Sequence, residues 1–278
     1  MKMKPKYWIL GIVALSCFAL SFSQQSKTIN IDTCEVENSA FNAGEEITYK
    51  IYYNLNFIWI PAGEVTFRVR ENDTQYHITA AGRTYPSYEW FYKVRDYFET
   101  YVDKNTMLPD TFLREVNEGS FTMYNKMTFD QENQKITSFK GKTKETAKEQ
   151  EVDYAECMHD IMSIVYCIRN KDFDKDNVGA RIPIKVALDG EVYPLSVEYK
   201  GISKKKKVKG MGRFNLHEFS PELIAGNVFT EDAKMKLFVS ADENKIPVLI
   251  ESPVSVGSVK VVLKEYKNLK YDFVAKAK

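Results

Sequence analysis

The feature that most constrains this chain is an alternation of apolar and polar residues at period two, repeated from Glu46 almost to the C-terminus. Along Glu46 to Tyr53, Ile47, Tyr49, Ile51 and Tyr53 fall on one face, and Glu46, Thr48 and Lys50 fall on the other. Residues two apart share a face only in an extended backbone, so the segment predicts a half-buried strand. Val65, Phe67 and Val69 repeat the pattern. After Asn72-Asp73, Tyr76, Ile78 and Ala80 repeat it again, as antiparallel neighbours in a meander. Over 88–102, Tyr88, Trp90, Tyr92, Phe98 and Val102 lie on one parity and Phe91, Tyr97 and Tyr101 on the other, so a strand there is aromatic on both faces. Further strands are expected at 108–116, 120–130 and 134–140. Ile182, Ile184, Val186 and Leu188 then alternate before Asp189-Gly190, a hairpin dipeptide, with Leu195, Val197 and Tyr199 returning. The last strands are expected at 234–241, 247–252 and 258–266.

One segment changes period. Asp153 followed by Glu156 has capping-box spacing, and Tyr154, Cys157, Met158, Ile161, Ile164, Val165 and Ile168 gather on one face at helical spacing. This predicts one main helix near 154–169, with Arg169 and Lys171 at the negative end of its dipole. Cys157 belongs to the apolar stripe and Cys167 lies off it. The fold class is therefore mainly β, all-β or α+β: a curved antiparallel sheet or partial barrel of about a dozen strands with one main helix. A single domain is expected over 44–270, in two halves, 44–150 and 180–270, joined by the helix.

At the N-terminus, Lys2, Lys4 and Lys6 precede an apolar run from Tyr7 to Phe22 that ends in Ser21-Phe22-Ser23. This reads as a signal peptide over 1–23. The run is shorter than the roughly 20 residues that span a bilayer, which argues against a permanent anchor. Lipidation at Cys17 is the alternative to cleavage, and it ranks second because Phe18-Ala19-Leu20 continues the apolar run. Residues 24–43 are polar and lack a period, so they are expected to form a flexible leader. The expected location is exported, in the periplasm or at the outer membrane, with no transmembrane span after signal removal.

Of the 4 cysteines, Cys34, Cys157 and Cys167 survive cleavage, as one bridge plus a thiol or as three thiols. No metal-ligand spacing is present and no cofactor is expected. With 39 basic and 38 acidic residues the chain is almost neutral, which gives no support to a nucleic-acid partner.

Several pieces form a series: Gly44-Glu45 leading into Tyr49-Lys50-Ile51-Tyr52-Tyr53, then Ala62-Gly63-Glu64, then Val94 to Asp103. His159-Asp160-Ile161-Met162-Ser163 with Tyr166 and Arg169, Phe219-Ser220-Pro221, Asp242 to Pro247 and Val256-Gly257-Ser258-Val259 extend it. The series resembles the exported bacterial proteins of domain-of-unknown-function family 3108. The resemblance implies a Gram-negative envelope protein and brings no activity with it. At the level of architecture alone the chain is also similar to envelope lipoprotein carriers whose curved sheet wraps an apolar cavity, an analogy of fold rather than of site.

Candidate sites follow from residue chemistry. His159, Asp160 and Ser163 are the residue types of acyl-transfer catalysis, but on one helix adjacent His159 and Asp160 point about 100° apart, which suits a polar face better than a triad. His77 and His217 are isolated in sequence. Arg95, Asp96, Glu99 and Asp103 form a charged cluster. Arg95 and Glu99 share parity with Tyr97 and Tyr101, which reads as an ion pair fixing strand register or as a sugar- or headgroup-binding face. Phe57-Ile58-Trp59-Ile60-Pro61 places large apolar residues where a polar turn is expected, as a core plug, a cavity rim or a membrane contact. Lys204, Lys205, Lys206 and Lys207 are expected on a solvated hairpin end, with an anionic surface as the sharper alternative.

The leading expectation is a non-enzymatic module that binds an apolar or amphipathic ligand, or an envelope protein, in the concavity of the sheet. Phe57, Trp59, Trp90, Tyr92, Arg95, Tyr97, Glu99 and Tyr101 are the candidate ligand-binding residues. The alternatives are a hydrolase of envelope glycan or lipid and a structural scaffold. A pocket gathering Asp96, Glu99 or His159 would favour the hydrolase, and a dry apolar cavity would favour binding.

Overall fold

A computed structural model of the chain describes residues 27–29, 33–55, 58–90, 92–223, 234–254 and 257–277. The signal segment, Phe57 and Phe91 lie outside the described residues. Fifteen strands form one sheet, rather than about a dozen. They are β1 (Glu46–Leu55), β2 (Ile58–Glu71), β3 (Gln75–Thr84), β4 (Arg95–Asp103), β5 (Pro109–Glu118), β6 (Phe121–Asp130), β7 (Lys135–Gly141) and β8 (Lys148–Asp153), then β9 (His159–Asp160). A helix, α1 (Ser163–Ile168), precedes β10 (Arg181–Leu188), β11 (Glu191–Val208), β12 (Gly212–Pro221), β13 (Lys236–Ser240), β14 (Pro247–Pro253) and β15 (Ser258–Lys267).

The spatial order is β8-β7-β6-β5-β4-β3-β2-β1-β15-β14-β13-β12-β11-β10-β9, antiparallel throughout except for β9 against β10. The first and last strands pair with each other, so the sheet is open in mid-chain and not at its termini. The two edges, β8 and β9, are joined only by residues 154–158. Six residue steps reach at most about 20 Å, which forces the edges together and curls the sheet into an almost closed barrel. Contacts across this seam agree: Arg114 and Lys140 both pair with Asp189 at the β10–β11 turn, at 3.0 and 3.5 Å. Thr100 of β4 also donates to Asp160 of β9 at 2.6 Å. The free edges are protected in a familiar way, β8 by its exposed charged residues and β9 by being two residues long.

Local chemistry explains the register. Asp189 and Gly190 take φ of +56° and +79°, the two left-handed positions of the expected hairpin. At Gly63, where β2 shifts register against β1, a Cβ would lie 2.3 Å from the Arg83 carbonyl oxygen, so only glycine lets β2 and β3 approach. The core divides into clusters. One packs Phe41, Ile78, Val102, Phe112 and Met127 against Met158 and Cys167. A second joins Phe214, Leu216, Phe238 and Val248 with Phe273 of the C-terminal tail.

Three expectations need correction. The helix does not run from 154 to 169; it is the six residues Ser163–Ile168. Residues 154–158 cross the seam, Glu156 has φ of +71°, and Cys157 is bonded to Cys34, so a helix cannot start there. The helical spacing survives as burial: Tyr154 and Met158 enter the first core cluster. Second, residues 33–43 do not stand apart as a leader, because Val36, Ala40 and Phe41 are buried in that same cluster. Third, the strand expected from Tyr88 begins only at Arg95, after a 3-10 turn over Pro86–Tyr88. Lys204 to Lys207 lie at the end of β11 that enters the hairpin to β12, with Lys204, Lys205 and Lys207 exposed. A register shift between Ser203 and Lys206 absorbs them, Lys205 has φ of +50°, and Lys206 Nζ sits 4.1 Å over the Phe238 ring. The cysteines form one bridge, Cys34–Cys157, and Cys167 is buried.

Candidate functional site

The concave side of the sheet and α1 enclose a cavity of about 540 Å³. The parity of the strands decides its lining. In β2 Val65 and Phe67 face it, in β4 Phe98, and in β12 and β13 Phe219, Leu237 and Val239. From the middle of the chain Ile161, Ile164, Val165 and Ile168 close one side, so the apolar stripe read at helical spacing is what covers the cavity. Val165 is 45% exposed and lines this space. A volume in the range of roughly 300–1,000 Å³ is typical of sites that enclose small molecules.

Polar groups approach the cavity at a few points. Arg169 is buried and pairs bidentately with Glu45, both N–O distances being 2.7 Å, while its Nε donates to the Asn244 carbonyl at 3.0 Å. Its guanidinium also lies over the Phe41 and Tyr166 rings at 5.4 and 5.0 Å. Arg169 thus clamps the end of α1 to the segment before β1 and to the β13–β14 turn; it is not a mere complement to the helix dipole. His217 and Lys245 are the other polar residues at the cavity wall.

The His159, Asp160 and Ser163 trio sits elsewhere, behind α1. Asp160 accepts from the Met162 and Ser163 N–H groups at 2.6 and 2.9 Å and from the Thr100 hydroxyl, so it caps the start of α1 in place of the expected Asp153. His159 Nε2 donates to the Thr33 carbonyl at 2.9 Å, and its Nδ1 is 3.1 Å from Ser163 Oγ. None of the three is more than 1% exposed, which gives a substrate no access. Burial pushes the His159 pKa down to about 4. Below its ordinary 6.5 the unfolded chain therefore binds a proton that the folded chain refuses. Stability is expected to fall by up to about 3 kcal/mol between pH 6.5 and about 4, with His217, also lowered by burial, adding to the same slope. Asp160, raised by burial, acts in the opposite sense at the acid end. Urea denaturation at pH 7.0, 5.5 and 4.5 measures the slope, and His159→Gln should flatten it; a flat wild-type profile contradicts the assignment.

The residues proposed from sequence for ligand binding are placed differently. Trp59 is half-buried with Lys260 Nζ 4.4 Å over its ring, and Trp90 is 83% exposed beside the 3-10 turn. Arg95 pairs with Glu89, not Glu99. Glu99 instead holds His77 at 2.9 Å and Tyr97 at 2.8 Å, and His77 stacks on Tyr101, all on the convex side because Phe98 and Thr100 point inward. Tyr92 lies against Gly119, next to Asp96 and Glu118; burial raises both carboxyl pKa values, and the neighbouring Asp96 raises that of Glu118 further. Asp103 caps the β4–β5 turn through Asn105 and Thr106. Among the described members of the set none lines the cavity. Phe98 does line it, on the parity opposite to Tyr97, Glu99 and Tyr101. His217 was missed because no spacing marks it.

The pieces of the sequence series meet in this arrangement: Glu45, Asp160, Arg169 and Asn244 hold α1 over the cavity, and Gly63 lets β2 and β3 close around it. Residues 48–264 match the family described as "Protein of unknown function (DUF3108)". The chain belongs to this family. No curated protein matches it. Among solved structures, the DUF3108 chain is similar to a beta-barrel-like protein of domain of unknown function DUF1849 from Brucella abortus. The two are 8% identical, with 84% of this chain and 100% of that chain covered, at a TM-score of 0.57. At that identity the likeness is one of fold.

Proposed function

We propose that the protein is an exported envelope module that binds an apolar or amphipathic ligand inside its curled sheet. The observation that carries this is the cavity of about 540 Å³, lined mostly by apolar side chains of the sheet and α1. Neither Asp96, Glu99 nor His159 reaches its wall, which favours binding over hydrolysis. The Cys34–Cys157 bridge supports an oxidising compartment, in keeping with the N-terminal signal and a bacterial periplasm or outer membrane. Lipidation at Cys17 is the alternative form of attachment.

Native mass spectrometry of the protein purified from its own envelope without detergent, followed by solvent extraction, tests the reading. A stoichiometric adduct of lipid or another apolar molecule is the expected result. A clean unliganded mass that also fails to take up added amphiphile would overturn it and favour a scaffold. The same spectrum reports whether the mature chain begins at Gln24 or at a lipid-modified Cys17.

A further inference from the structure

The binding reading leaves the ligand's chemistry open, and one buried donor narrows it. His217 lines the cavity and is 9% exposed. Its Nδ1 lies 2.8 Å from the hydroxyl of Tyr199, which is fully buried and whose pKa burial raises, so the phenol keeps its proton. The Tyr199 hydroxyl has no other acceptor among the described residues; with the phenol as donor to Nδ1, the neutral ring carries its own proton on Nε2. Among the described residues nothing accepts from Nε2. An acceptor on a ligand can take that N–H.

Lys245 supplies the charge. Its Nζ is 3.0 Å from Asp172 Oδ1; the lysine side chain is 12% exposed, whereas that of Asp172 is 95% exposed. An ion pair with one partner almost wholly in water is weak and easily exchanged. The other charges near this end are committed. Asp242 accepts from the Ser240 hydroxyl, the Asn244 N–H and the Ala275 N–H. Arg169 is held by Glu45. The wall of an otherwise apolar cavity therefore presents one unmet N–H and one loosely held cation.

We infer that the cavity takes a single-headed anionic amphiphile, a long-chain carboxylate. Its head group accepts from His217 Nε2 and pairs with Lys245 Nζ in place of Asp172, and its chain lies among Phe98, Val165, Phe219 and Leu237. This assignment rests on the binding reading, and the test separates the two.

The purified full chain, freed of bound lipid on an adsorbing resin, is titrated with a dansyl-labelled undecanoate. The probe is then displaced with palmitate or with methyl palmitate, which has the same chain and no charge. Palmitate is expected to compete about tenfold or more better than the ester. Lys245→Met should erase most of that preference, and His217→Leu should weaken palmitate and the ester together, because the ester carbonyl also accepts from Nε2. Asp172→Asn, on an exposed side chain, should tighten palmitate binding severalfold. Equal competition by acid and ester in the wild type, or a preference that survives Lys245→Met, would overturn the head-group assignment and leave apolar binding standing. Failure of the probe and of both competitors to bind would overturn the binding reading as well.

Discussion

Replacing Arg169 by methionine is expected to lower the free energy of unfolding by about 3–5 kcal/mol, because it leaves the Glu45 carboxylate buried without its partner. Glu45 is 1% exposed and receives both guanidinium nitrogens at 2.7 Å. In a chain of this size each kcal/mol shifts the melting temperature by roughly 2–4 °C, so a drop of about 10 °C is the expected reading. The mechanism makes a second demand. Removing both charges, with Glu45→Leu and Arg169→Met together, should recover much of the loss, since a buried ion pair repays its desolvation only narrowly. Urea denaturation of the wild type, both single variants and the double variant gives the coupling energy. Additive losses would mean that Arg169 acts through packing on Phe41 and Tyr166 and not through its charge.

Loss of the Cys34–Cys157 bridge is the second large effect. The bonded residues are 123 apart in sequence, and they enclose β1 to β8, half of the meander. Closing a loop of about 100 residues in the unfolded chain is worth about 4.7 kcal/mol in the chain-entropy description. The double variant Cys34→Ser, Cys157→Ser should therefore unfold at markedly lower urea, by about 3–5 kcal/mol. The bridge also has a local role, since it pins residues 33–43 to the segment that crosses the seam. Hydrogen exchange is expected to accelerate first in β8, β9 and α1, and much less in β1 and β15. Uniform acceleration would show that the bridge acts only on the unfolded state, and no change in stability would remove it from the fold's support altogether.

The strands were legible because their cause is local. Ile47 and Tyr49, or Val65 and Phe67, face the cavity for the reason visible in the sequence: a period of two on an extended backbone. Asp189-Gly190 announced its hairpin through the two left-handed positions that it fills. The helix was misjudged for an instructive reason. Tyr154, Cys157 and Met158 have helical spacing, yet the short distance between the sheet edges and the bridge to Cys34 impose an irregular crossing, and tertiary constraint overrides a weak local preference. Of the aromatic stretch 88–102 only the part from Arg95 is a strand, and there its two faces differ: Tyr97 and Tyr101 carry the polar decoration, and Phe98 lines the cavity.

By itself, then, the sequence determined a mainly β, meandering chain with an apolar cover in its middle and a signal-like N-terminus. Which edges meet, where the seam opens, that Glu45 meets Arg169 and that His217 ends up at the cavity wall against Tyr199 were decided only in the tertiary structure. Those facts depend on closing a sheet across the whole chain. Periodicity says which face a residue is on, but it does not say which distant strand that face will meet.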